Sequence, residues 1–371
     1  MIDWKLAEST ALRLMPSRPS ATPDEAREVV LGLRRAAREA EQPIADVTQM
    51  QVKTAKADVH VVDRATWARS NVEGMAAALT PLVEALRERR RKAAPPDETD
   101  GDGGSTDAEA DATVSGGVVA AIGSRATGFQ VGSLLAFVGT KVLGQHELFT
   151  PADRSAQLLL VAPNVLIAER NLEVDPAAFR RWVCLHEETH RVQLAAVPWL
   201  RSYIEADLQK FFAAAETEGP LAERLGTLLT SVGGAVRGQN RSSLIEAVQT
   251  PEQREILDRL VALMTLLEGH ADWAMDAVGD EVVPGLAEVR ARFEKRRQGS
   301  GGLDGVLRRL FGLDAKLAQY REGAGFVRGV IELVGVEGLN AVWTSADTLP
   351  MREEIADPRR WADRVHVGTA S

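Results

Sequence analysis

The chain has 371 residues, 45% hydrophobic and 26% charged, with 44 basic against 53 acidic side chains and a formal net charge of -9. That balance offers no overall positive field to attract phosphates, which argues against nucleic acid as a main partner, while the length suffices to bury a large core. A single cysteine, Cys184, excludes an internal disulfide and fits a reducing cytoplasm.

Residues 1–20 are weakly patterned and read as an arm docked on the body. Charges interleave with the apolar residues from Met1 to Arg18, so no secretory signal is visible and a cytoplasmic location is expected. Thr22-Pro23-Asp24-Glu25 opens a helix expected to reach about Glu41, with its acids in the first turn where the macrodipole favours them. Val59 to Val62 is a short β-like run. A helix from about Thr66 to Lys92 follows, interrupted or kinked near Pro81 and ending in a basic run read as solvated. The stretch from Pro95 to Thr113 is acidic and glycine-rich without a large apolar residue, so it cannot offset its ordering entropy and reads as a loop.

Gly116 to Gly144 is apolar, but Arg125 and Lys141 bracket only about fifteen uncharged residues, too few to span a bilayer. Close helix packing through Gly128 and Gly132 is expected instead. Gln157 to Val161 and Val165 to Ala168, parted by Pro163-Asn164, read as two strands of a small sheet. By fold-level analogy alone, Leu158 to Val161 is the strand expected to offer backbone groups to an extended segment of another chain.

Asp175-Pro176 then starts a helix, an N-cap carboxylate followed by proline at the first helical position. Phe179, Trp182, Val183, His186 and His190 share one side of it. Within it, His186-Glu187-Glu188-Thr189-His190 is an H-E-x-x-H sequence, whose histidines, four apart, can face one cation. Glu187 then lies beside the metal, placed to take a proton from water activated there. The competing reading is a pair of core histidines satisfied by hydrogen bonds.

A catalytic zinc site needs a third protein ligand. Glu255 to Val278 reads as a helix with Leu257, Leu260, Val261, Met264, Leu267, Ala271 and Met275 on an apolar face into which Glu268 falls. A carboxylate there is costly unless paired or metal-bound, so Glu268 is the expected ligand. Asp272, a turn further on, is the expected partner that fixes a histidine tautomer. His270 is the competing ligand, pointing nearly the opposite way. Between the two blocks, Trp199 to Glu216 and Leu221 to Leu229 read as helices and Ser231 to Ser243 as a loop, together a helical cap. The last helices are expected from about Leu303 to Leu333, with Trp343, Pro350, Trp361 and Val365 pinning the tail. No glycine-rich phosphate loop or dinucleotide fingerprint is present, so no nucleotide cofactor is expected.

The blocks HEETHRVQL, LLEGHADWAMDAVG, GLDAKLAQYREGAGFV and LNAVW…LP…DPRRWADRV, with Val61-Val62-Asp63-Arg64, Trp67 and Asn71, resemble an actinobacterial family of zincin-like hydrolases. Its members are sometimes labelled coenzyme F420 biosynthesis-associated proteins. The resemblance covers most of the chain outside the acidic segment. It implies a gluzincin-like metallopeptidase scaffold whose third ligand is the glutamate of an E-x-x-x-D sequence, which maps onto Glu268 and Asp272. The interval between second and third ligands is far longer here than in the well-known peptidases of that type.

The expected fold is α+β, mostly α, a zincin-like scaffold with a small sheet before the motif helix. Its parts are an N-terminal helical region 1–94, the acidic loop 95–113, and a metal-binding region 114–371 with the helical cap, packed as one unit. One Zn2+ would be held by His186, His190 and Glu268, with Glu187 as general base, and Tyr320 and Arg321 as donors to the oxyanion of a peptide or other amide substrate, an ordinary packed tyrosine being the competing reading of Tyr320. The alternative is a non-catalytic zinc-binding structural or regulatory protein linked to F420 metabolism.

Overall fold

The computed structural model describes residues 2–16, 19–52, 58–93, 124–147, 157–216, 250–299 and 313–367, with side chains described at all of these except 81–93, 212, 215–216, 294, 296–299, 313–321 and 367. The acidic segment, the expected elements Leu221 to Leu229 and Ser231 to Ser243, and the side chains of Tyr320 and Arg321 lie outside the described residues.

In chain order the elements are helices α1 (Trp4–Leu14), α2 (Pro23–Glu39) and α3 (Glu41–Thr48), strand β1 (Val59–Val62) and helix α4 (Arg64–Ala93). Helix α5 (124–138) and strands β2 (Gly144–His146) and β3 (Leu158–Val161) follow. Then come α6 (Ala162–Leu172), α7 (Pro176–Ala196), α8 (Pro198–Glu216), α9 (Pro251–Ala277), α10 (Leu286–Gly299) and α11 (Leu313–Leu339). The fold is mostly helical, with one small mixed sheet of order β1-β3-β2, in which β1 runs parallel and β2 antiparallel to β3.

Two sequence readings are corrected here. The expected N-terminal arm is a helix, because Asp3 caps α1 by accepting the Leu6 N–H at 2.9 Å. Val165 to Ala168 are not a strand but lie in α6. Pro163 sits in the first turn of that helix, where its missing N–H forfeits no bond. Asn164 anchors the turn: its amide donates to the carbonyls of Gly139 and Val142 at 2.8 and 2.6 Å and accepts from Arg64 Nε at 2.7 Å.

By its contacts the chain forms two units, Met1–Val30 with Asp58–Ile167, and Leu31–Ala57 with Ala168–Ser371. The first is centred on Trp67, packed with Ala11, Val72, Leu135, Leu159 and Val161. Its indole donates to Gln145 at 2.7 Å, Gln145 donates to Asn71, and Asn71 returns to the Trp67 carbonyl, both at 2.9 Å. A Cβ at Gly132 would lie 2.3 Å from the Ala7 carbonyl oxygen, so α5 meets α1 closely, as the glycines led one to expect.

In the second unit α9 packs on α7, α8 and α11. Its backbone nearly touches that of α11, since a Cβ at Gly269 would fall 2.1 Å from the Gly323 carbonyl carbon. The buried side of α9 carries Ile256, Leu263, Leu266, Leu267, His270 and Ala274, whereas Leu257 and Met264 are exposed. The apolar stripe expected from the sequence is thus rotated. Packing on its neighbours buries most of the helix and leaves open the side that carries Met264 and Glu268. At the C-terminal end Trp361 is buried and donates to the Thr348 carbonyl at 2.8 Å, and Arg364 holds both Glu354 oxygens at 2.7 and 2.8 Å, pinning the tail as expected.

Candidate metal centre

Asp175 caps α7, accepting the Ala178 N–H at 2.7 Å, with Pro176 at the first position. Three turns on, the four-residue spacing brings His186 Nε2 and His190 Nε2 to 3.2 Å, their rings edge to face. From α9, Glu268 Oε2 stands 3.5 Å from His186 Nε2 and Oε1 stands 3.7 Å from His190 Nε2. Among the described residues these three form a group whose ligand atoms all lie within 4.8 Å of one another. A zinc ion holding tetrahedral ligands at about 2 Å sets them about 3.3 Å apart, so these separations, and a donor set of two nitrogens and one oxygen, fit such an ion. Side-chain exposures of 28%, 18% and 24% for His186, His190 and Glu268 leave the group reachable from solvent.

Glu187 is buried beside them. Burial, reinforced by the charge of Glu268 and opposed by His190, pushes its carboxyl up to about 7. Its neighbour Glu188 is equally buried but paired at 2.6 to 2.9 Å with the guanidinium of Arg191, which neutralises it within α7.

Of the two candidates on α9, the structure brings Glu268 to the histidines and turns His270 away. His270 is fully buried, stacked on Trp273 and edge-on to Trp343. Burial lowers its pKa to about 3, so the ring is neutral. Asp272 accepts from Arg290 at 2.7 Å. It is Gln193, a residue that the sequence reading passed over, that meets His190, with Oε1 2.9 Å from Nδ1. The available signal was its position three residues beyond His190 and seven beyond His186, on the ligand face of α7. Cys184 is buried, with its sulfur 3.7 Å from the Leu33 carbonyl, and burial drives its thiol far above the usual range. The strand expected to receive a peptide is also revised: β3 is paired along both sides by β1 and β2, so its backbone has no free edge.

Two histidines a turn apart on one helix, answered by a carboxylate from another with a buried glutamate alongside, form a group that could hold a metal ion. The chain belongs to the zincin-like metallopeptidase family, whose model matches residues 2–362. A solved structure from Chloroflexus aurantiacus, described as "a putative hydrolase with a novel fold", is similar at 27% identity and TM-score 0.65, covering 98% of this chain and 98% of that one. No curated protein matches the chain. No helix among the described residues is long and apolar enough to cross a membrane.

Proposed function

We propose that the protein is a zinc-dependent hydrolase of amide bonds, with a peptide as its substrate class. The observation that carries this reading is the convergence of His186, His190 and Glu268 beside the buried carboxyl of Glu187. His186, His190 and Glu268 would hold a zinc ion, which when bound would supply a Lewis acid for the substrate carbonyl and for a water near neutral pH. Glu187 takes the proton from the attacking water and returns it to the leaving nitrogen. In the metal-free protein burial raises the proton affinity of the Glu187 carboxyl, and a carboxyl placed in this way can both take and return the proton. Tyr320 and Arg321, on α11, are the proposed donors to the developing oxyanion.

The partial exposure of the three ligands favours catalysis over a purely structural site, which closes its fourth position. Glu187→Gln tests the reading in the zinc-loaded protein against a peptide library. The expected result is unchanged zinc content with cleavage reduced at least about 100-fold. A parent protein that binds zinc and cleaves no amide would instead support a non-catalytic zinc protein.

A further inference from the structure

The hydrogen bonds behind the ligands carry protonation information, and the inference from them rests on the metal-site reading above. The Leu267 backbone carbonyl can only accept, so the Gln193 atom 2.9 Å from it is the amide nitrogen. The Gln193 oxygen therefore faces His190 Nδ1 at 2.9 Å. An amide oxygen also only accepts, so Nδ1 holds a proton, and in the neutral ring that metal binding requires His190 Nε2 keeps its lone pair. The second hydrogen of the same amide points at His270 Nδ1, 3.0 Å away. That nitrogen must accept, which leaves the His270 proton on Nε2, a buried atom without a hydrogen-bond partner among the described residues.

We propose that Gln193 is a positioning residue that uses one backbone carbonyl to set opposite tautomers on two histidines. His190 is held with Nδ1 protonated and Nε2 offered to the metal. His270 is held with Nδ1 occupied and its ring fixed between Trp273 and Trp343, so it does not compete with Glu268 for the ion. Among side chains of this length only the amide does both: glutamate accepts from His190 but its carboxylate cannot donate to Leu267 or His270, and methionine matches the length without either bond.

The test uses the full chain and the variants Gln193→Met and Gln193→Glu. Nitrogen NMR of the histidine rings in metal-free parent protein should find His190 bare at Nε2 and His270 bare at Nδ1; the reverse tautomer at either ring overturns the proposal. In Gln193→Glu, His190 should keep its tautomer while His270 changes, and an unchanged His270 counts against it. Gln193→Met should weaken zinc about 10–100-fold in competition with a chromophoric chelator and alter the visible spectrum of the cobalt-substituted protein. Parent affinity and an unchanged cobalt spectrum in that variant would also overturn it. If the parent binds no zinc at all, the metal reading fails, while the ring tautomers still decide the role of Gln193. If Gln193→Met does not fold, the parent and Gln193→Glu spectra decide.

Discussion

Glu187 concentrates the chemistry at the scale of single residues, because its environment opposes its charge. Its carboxyl rests near 7 in the fold against an ordinary value of 4.5, so the folded chain holds a proton that the unfolded chain releases. The stabilisation this gives is complete below about 4.5 and is lost as pH rises through about 7. In metal-free protein, urea unfolding should therefore show the parent losing stability relative to Glu187→Gln between pH 5 and pH 8. Parallel pH profiles for the two proteins would contradict the burial assigned to this group. The pairing of His186 with His190 was legible in the sequence, because spacing on one helix is a local property, whereas Glu268 lies beside them although the apolar face that singled it out is rotated away. Gln193 was not read, because an uncharged amide announces nothing until the Leu267 carbonyl and His270, both far along the chain, are seen to face it.

Among the elements, α9 decides where Glu268 stands, and α9 is placed by its close approach to α11. Gly269→Ala would drive a methyl group into the Gly323 backbone and push the helices apart. We expect a loss of about 1–3 kcal/mol in stability, read by thermal unfolding, and weaker zinc binding because Glu268 is the preceding residue. Gly325→Ala on α11 is the matched control: its added carbon meets nothing within 4 Å, and alanine is the better helix former, so stability should hold or rise by up to about 1 kcal/mol. Equal effects from the two substitutions would argue against the close approach. The element-level reading of the sequence succeeded where a cap and a period agreed, as in α7. It failed at Val165 to Ala168, where a short apolar run fits strand and helix alike and the proline marked a helix start. On α9 the period was found but its phase was not, since neighbouring helices, invisible in a local window, choose which side is buried.

On the scale of the whole molecule, the proposed ligands come from α7 and α9, separated by α8 and a long stretch of sequence, so the proposed site exists only in the folded chain. An ion bound by the native state alone stabilises it by mass action. At a zinc concentration about 100 times the dissociation constant the gain is about 2.7 kcal/mol, seen as a rise in melting temperature that EDTA reverses. His190→Ala and Glu268→Ala should each abolish most of that rise. The zincin-like family, whose model matches residues 2–362, was legible from the paired HEETH and EGHAD blocks, because they join histidines and acids at ligand-like spacing to flanking helix signals.

The central claim is tested most directly by anomalous diffraction at the zinc absorption edge from crystals of the zinc-supplied protein. The account predicts one peak per chain about 2 Å from His186 Nε2, His190 Nε2 and a Glu268 oxygen. A peak coordinated by His270 instead, or no peak among these side chains with zinc in excess, would contradict it.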